Sequence, residues 1–308
     1  MHAFNWDNIK VFLAVARAQS ALEAAHVLGI DQSTISRRLH QLEKDIGCRL
    51  FDRSSQGHHL TSVGHRLMDH AEKLESTIST IETDIFDDSM ALSGDIRLGA
   101  TEAFGSYFLA PHLAHFCTRH PNISVELLPM PRNINLSKRE ADASVSIERP
   151  TVNHFVTSRL CDYRLLPYAT HSYLEQSAPI NRIEDLTQHR WIDYIDDLLF
   201  TSQQFSLRQW LPNIRPFFRS TSVIAQFHAV KAGVGIAFLP CFLASTAREL
   251  VPILPEEIDV IRTFWLVAPE DKRELSRIKA LWDYLRMVAE RNRGHLLGET
   301  EAMTWLTQ

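Results

Sequence analysis

The sequence predicts a mixed fold: an all-α head closed by a short β-hairpin, then a long helix, then a C-terminal α/β region. Three observations predict it. Three helical segments with clear start and stop residues crowd into the first fifty positions. Apolar residues recur at heptad spacing from Leu67 to Ile85. From Asp95 onward, strand-like runs alternate with helical ones. With 308 residues the chain has room for two or three domains.

Trp6 to Ala18 forms the first predicted helix, with Trp6, Ile9, Phe12, Leu13 and Ala16 at helical spacing. Ser20 followed by Glu23 is a capping-box pattern, in which each side chain satisfies a free N–H near the other's backbone. The second helix runs from Ala21 to Leu28 and stops at Gly29, where a tight exit needs left-handed backbone. Asp31 is the expected N-cap of the third helix and Gly47 its terminator. Ala25 is small where two helices would cross, and the branched Ile35 fills the angle between them, a helix-turn-helix spacing.

On the third helix Ile35, Leu39, Leu42 and Ile46 make one apolar stripe. The other face carries Ser33, Ser36, Arg37 and His40, with Gln32 at its start. From Gln32 to Leu42 there is no acidic residue. Hydroxyls, amides and guanidinium groups of this kind read base edges and clamp phosphates. The net charge of −5 does not argue against such a partner, because residues 1–66 carry +2 and residues 67–308 carry −7. A merely solvated face would normally mix Glu with Lys.

After Gly47, the runs Cys48–Arg53 and Leu60-Thr61 flank Ser54-Ser55-Gln56-Gly57-His58-His59, which reads as a two-stranded wing. Arg53 would flank the DNA backbone and His58 would reach the minor groove. Several ordered runs now stand together: Ser20–Ala25, Gln32–Leu39, Leu42-Glu43, Gly47, Leu50-Phe51-Asp52-Arg53 and Leu60-Thr61-Ser62-Val63-Gly64. In these the chain resembles the LysR-type transcriptional regulators. The resemblance implies a winged helix-turn-helix over about 1–62 that binds double-stranded operator DNA at an interrupted palindrome. The expected DNA-binding residues are Gln32, Ser33, Thr34, Ser36, Arg37, Arg38, Arg53 and His58.

Residues 61–89 read as one long helix. Leu67, Ala71, Leu74, Ile78, Ile81 and Ile85 form a narrow heptad stripe, with Glu72, Lys73, Glu75, Glu82 and Asp84 off it. A partner helix suits such a seam better than the flank of its own domain does. The resemblance implies a linker helix over 63–91 that dimerises, giving a homodimer or a dimer of dimers (homotetramer).

Asp95–Ala100, a helix carrying Leu109, Leu113 and Phe116, and Ile123–Leu128 suggest a parallel βαβ unit. Glu140–Ile147 and Phe155–Ala169 add strands, followed by a helix over Val223–Ala232, a strand over Ile236–Leu239, a strand over Arg262–Ala268 and a final helix over Ser276–Glu290. Ligands on such sheets bind beyond the strand C-termini. Gly94–Gly99, Arg139–Asp142 and Ala232–Ala237 with Leu239-Pro240 resemble the family's effector domain, a two-lobed fold like the type 2 periplasmic binding proteins. It would span 92–290, with one lobe from 92–161 and 265–290 and the other from 162–264. The resemblance leaves the tail 291–308 unassigned.

Carried over by position, the effector pocket between the lobes would be lined by Thr101, Glu102, Phe104, Arg132, Asn133, Asp196, Thr221 and Ser222. Arg132 and the free N–H groups of a helix start suit an anion. Glu102 and Asp196 suit an amine or a zwitterion.

Other chemistry finds no support. Gly233-Val234-Gly235 lacks a third glycine and follows a helix, so it is no dinucleotide fingerprint. No Gly-x-Ser-x-Gly elbow or His-Glu-x-x-His pair occurs, so neither catalysis, metal nor cofactor is expected. Cys48, Cys117, Cys161 and Cys241 are scattered, the last three among apolar neighbours, which suits buried thiols in a reducing cytoplasm. Met1–Asp7 has no basic stretch followed by an apolar run, so no leader is expected. The rival reading is a solute-binding protein whose N-terminal helices only mediate assembly.

Overall fold

The structure is a computed structural model that describes residues 5–54, 57–68, 70–71, 74–75, 78, 92–132, 136, 140–150, 155–201, 204 and 207–306. The chain divides into two units, Met1–Met90 and Ala91–Gln308.

The first unit opens with α1 (Trp6–Ala18), α2 (Ala21–Leu28) and α3 (Gln32–Ile46), at the bounds read from the sequence. Their ends follow from local chemistry. Asn5 Oδ1 accepts from the Asp7 N–H (2.9 Å) and Ser20 Oγ accepts from the Glu23 N–H (3.3 Å). The capping box is half made, since Glu23 returns no bond to Ser20 among the described residues. Asp31 holds the N-cap position of α3 through its main-chain carbonyl alone, accepting from Thr34 and Ile35, with no side-chain bond. Gly29 and Gly47 exit their helices in left-handed conformation, as expected.

Ile35, Leu39 and Leu42 are buried with Phe12, Leu13, Ala25 and Leu50, and Phe12 meets Phe51 at 5.4 Å. Each such large side chain contributes about 1.5–3 kcal/mol by leaving water. The wing is β1 (Phe51–Ser54) paired antiparallel with β2 (Gly57–Leu60). Three bonds fix it to the helices: Glu43 Oε1 accepts from the Leu50 N–H (2.8 Å), the Thr61 N–H donates to the Leu50 carbonyl (2.9 Å), and the His58 N–H donates to the Gln19 carbonyl (3.0 Å).

Residues 62–68, 70–71, 74–75 and 78 are helical. The heptad stripe is divided. Ala71 is buried in the head's own core, with Leu67 and Met68 partly buried against it, whereas Leu74 is exposed. Beside the stripe, Glu75 takes a two-point bond from Arg17 (3.2 and 2.6 Å). Ile81 and Ile85 lie outside the described residues.

The second unit begins with β3 (Gly94–Thr101), a π-helical turn over Phe104–Leu109, α4 (Ala110–Arg119) and β4 (Ile123–Met130), which pairs parallel with β3. This is the expected βαβ unit. β5 (Ala143–Ser146) lies parallel on the other side of β3. β6 (Phe155–Thr170) is one long strand, and β11 (Val260–Pro269) runs antiparallel to it along almost its whole length. Their register shifts between Phe264 and Trp265, opposite Arg159 and Cys161.

Between these two strands come α5 (His171–Glu175), β7 (Ile192–Asp193), α6 (Leu207–Trp210), β8 (Phe218–Arg219), α7 (Val223–Lys231), β9 (Ala237–Pro240), α8 (Cys241–Ala244) and β10 (Leu250–Pro252). The large sheet is therefore mixed, in the order β10-β6-β11-β5-β3-β4, with β9 also on β6. β7 and β8 form a separate parallel pair.

After the short α9 (Glu270–Arg273), the helix α10 (Ser276–Arg291) is not the last, since α11 (Arg293–Leu297) follows. The tail folds back onto this unit. Asn292 donates its amide to the Thr304 carbonyl (2.9 Å) and accepts from the Thr304 N–H (2.6 Å). Leu296 is buried, and the Trp305 ring lies 5.0 Å from both His112 and His115. Gly298 is left-handed (φ 77°), and a Cβ there would come within 2.9 Å of Cys241 Sγ. Cys161 and Cys241 are buried as expected, but Cys117 is only half-buried, at the flank of the face on which α4 buries His112, Leu113 and Phe116.

Candidate functional site

The head presents one polar face. On α3, Gln32, Ser33, Ser36, Arg37 and His40 are exposed and Thr34 half-exposed, while Ile35 and Leu39 turn inward. Arg37 makes no ion pair among the described residues, whereas Arg38 lies 3.9 Å from Asp7. A row of short polar side chains with an unpaired guanidinium, on a helix whose start is exposed, fits a major groove. In the wing, the backbone pairs Arg53 with His58; the Arg53 side chain lies outside the described residues. The His58 ring is half-buried, edge-on to Phe51 at 5.8 Å, and its neighbour His59 is the exposed one.

The second unit holds a cleft whose empty volume is about 670 Å³, open mouth included. Topology builds it. Thr101 ends β3 and Glu102 follows it, Met130 ends β4 and Pro131 follows it, and Ile147 follows β5, so the parallel strands contribute their C-terminal ends. Asp193 and Tyr194 at the end of β7, with Thr221 after β8, form the opposite wall. Tyr163 from β6 and Phe264 from β11, stacked at 4.2 Å, make the floor with Phe104, which lies 4.0 Å from Phe264.

Two carboxylates face this largely aromatic cleft. Glu102 Oε1 accepts from the Ser222 hydroxyl (2.9 Å), while its Oε2 is buried with no hydrogen-bond partner among the described residues. Burial pushes the Asp193 carboxyl up to about 6, even though Oδ2 accepts from the Leu207 N–H (2.9 Å). Burial also raises the Tyr194 phenol, and the charges of Glu102 and Asp193 add to the rise. Among the described lining residues there is no Lys, Arg or His.

Residues 6–65 match the model of the bacterial regulatory helix-turn-helix protein, lysR family, and residues 90–290 match the LysR substrate binding domain. The chain belongs to the LysR family of transcriptional regulators. The regulator PtxR of Pseudomonas aeruginosa is 28% identical over 262 residues, covering 83% of each chain. Among solved structures, a full-length OxyR variant from Pseudomonas aeruginosa aligns with a TM-score of 0.70 at 18% identity, over 93% of this chain and 96% of that one. Full-length LysG of Corynebacterium glutamicum with bound effector arginine aligns with a TM-score of 0.62 at 19% identity, over 92% and 98%. These two likenesses concern the fold. Like its relatives, this regulator is not an enzyme.

Of the pocket residues expected in this LysR-type chain, Thr101, Glu102, Phe104 and Thr221 border the cleft, and Ser222 reaches it through Glu102. Two do not. Arg132 is exposed and its guanidinium meets Glu140 at 2.9 Å, so it supplies no cation to the cleft. Asp196 opens a 3-10 turn and borders a neighbouring hollow with Arg208, Arg215 and Arg219; Asp193 borders both hollows and takes the place in the cleft expected of Asp196. Asn133 lies outside the described residues. Sequence reasoning missed Asp193, Tyr194, Tyr163 and Gln204. Only an acid set in the apolar run Trp191-Ile192 pointed to Asp193. Among the described residues no three His, Cys, Asp or Glu side chains are placed to hold a metal, and no helix is long and apolar enough to cross a membrane.

Proposed function

We propose that this regulator reads operator DNA with α3 and its wing, and that a small molecule held in the cleft sets its activity. The exposed, acid-free face of α3 carries the reading. Gln32, Ser33, Thr34 and Ser36 would contact base edges, Arg37 a guanine or a phosphate, and Arg38, Arg53 and His58 the backbone and minor groove. Two heads joined by linker helices from Leu74 onward would match the halves of an interrupted palindrome, in a dimer or dimer of dimers. Ligand binding would shift the balance between open and closed forms of the cleft, and with it the spacing of the heads. That shift requires different ligand affinity in the two forms.

The test is a mobility shift with the protein's own upstream DNA at two salt concentrations against random competitor. Selective binding that weakens with salt is expected. Equal affinity for random DNA would favour the rival reading, in which the cleft is the main function and the head only assembles the chain.

A further inference from the structure

We propose that the cleft takes an organic cation: a protonated amine on an apolar, preferably aromatic, body that carries no carboxylate of its own. The class rests on reading the cleft as the effector site.

The charge balance carries the argument. The two ionisable side chains that face the cleft with formal charge, Glu102 and Asp193, are both acids, and no basic side chain offsets them among the described lining residues. Glu102 Oε2 is a buried acceptor without a donor among the described residues, in a cleft whose lining includes Phe104, Phe200, Phe242 and Phe264. A buried carboxylate oxygen left unmatched is costly, and an ammonium group supplies both the donor and the countercharge. Burial raises the Asp193 carboxyl even though the charge of Arg219, in the adjoining hollow, pulls it down. The rings of Tyr163, Phe264 and Phe104, stacked on one another, add apolar surface against which the body of the ligand is buried.

An anion finds its usual seat taken. The start of α7 would offer free N–H groups, but Ser222 Oγ already accepts from the Ala225 N–H (3.0 Å) and donates to Glu102. The protein's own carboxylate thus stands at the helix start where a ligand carboxylate would otherwise go. Arg132, the one cation expected there, is engaged by Glu140.

The experiment is calorimetric titration of the full-length chain at neutral pH with three probes of matched body: phenethylamine, hydrocinnamate and phenylalanine, with benzylamine and phenylpropylamine extending the amine series. The wild type is compared with Glu102→Gln and Asp193→Asn, each melted first without ligand to establish folding. Glu102→Gln keeps an acceptor for Ser222, removes the charge and turns the second acceptor into a donor.

An amine should bind wild type saturably. Either neutral variant should weaken it about tenfold or more, the loss of one charge-assisted hydrogen bond. Hydrocinnamate should not bind. Tighter binding of hydrocinnamate or phenylalanine than of any amine overturns the proposal, as does an amine affinity unchanged in both variants, or no binding by any amine. Operator mobility shifts with the same ligands separate the two readings. An anion that binds and alters DNA affinity leaves the effector reading standing and removes the cation class. An amine that binds with no effect on DNA affinity does the reverse.

Discussion

Ser222 donates its hydroxyl proton to Glu102 Oε1 at 2.9 Å, joining the start of α7 to the end of β3 across 120 positions of sequence. The same hydroxyl oxygen accepts from the Ala225 N–H, so one side chain caps a helix and holds a cleft carboxylate.

Replacing Ser222 by Ala therefore removes two bonds at once. The expected loss is about 1–3 kcal/mol of stability in the second unit, from the lost cap and the unmatched acid. Glu102→Gln should cost much less, because Ser222 still caps α7. Urea unfolding curves of the two variants measure the difference. Equal midpoints would mean that the cap contributes nothing.

Gly64 is set by a close approach. A Cβ there would lie 2.2 Å from the Leu50 carbonyl oxygen, where Thr61 also bonds. Gly64→Ala should push the wing's base from the linker helix and cost the head about 1–3 kcal/mol. Thermal melting of the head transition reads this. A melting point equal to wild type would show that the backbone yields without cost.

These two cases mark how far the sequence was legible. The head could be read almost to the residue because its signals are local: Ser20 caps its own helix, and Gly29 and Gly47 stop theirs. Thr101 and Glu102 were legible because they directly follow a clear strand. Asp193 was not, because a partner far along the chain, Leu207, holds it inward, while Asp196 turns to another hollow. The tail carried no periodicity; Asn292 and Thr304 close it over twelve positions.

The tail should be structural. Asn292→Ala removes three bonds of a buried amide, one to Val288 and two to Thr304, and a loss of about 2–3 kcal/mol is expected in the second unit. Faster proteolysis after α10 should accompany it. A resistant, equally stable variant would mean that the tail merely rests on the surface.

His112 predicts a pH effect. Its ring is buried against Phe108 and Trp305, with neither nitrogen hydrogen-bonded among the described residues, and faces His115 and His295. Burial, and then the charges of those histidines, hold it down to about 4 from an ordinary 6.5. The unfolded chain takes up a proton below 6.5 that the folded chain refuses, so stability falls as pH drops from about 6.5 to about 4. Asp193, pushed up to about 6 from 3.8, works in the opposite sense: its contribution is lost as pH rises through that window. The two partly cancel in the wild type. His112→Phe should isolate the first effect, gaining stability over wild type by up to about 3 kcal/mol as pH falls to the lower limit. A difference that stays constant with pH, followed by urea unfolding, would contradict it.

The most direct test is the operator affinity of Arg37→Ala, with Ser36→Ala beside it, measured by mobility shift against random competitor after circular dichroism has shown the helices intact. Both side chains are exposed on α3, so the fold should survive. The account predicts loss of selective binding, with each contact to a base edge worth about 1–3 kcal/mol. Wild-type affinity and selectivity in both variants would contradict it, and would remove α3 as the element that reads DNA.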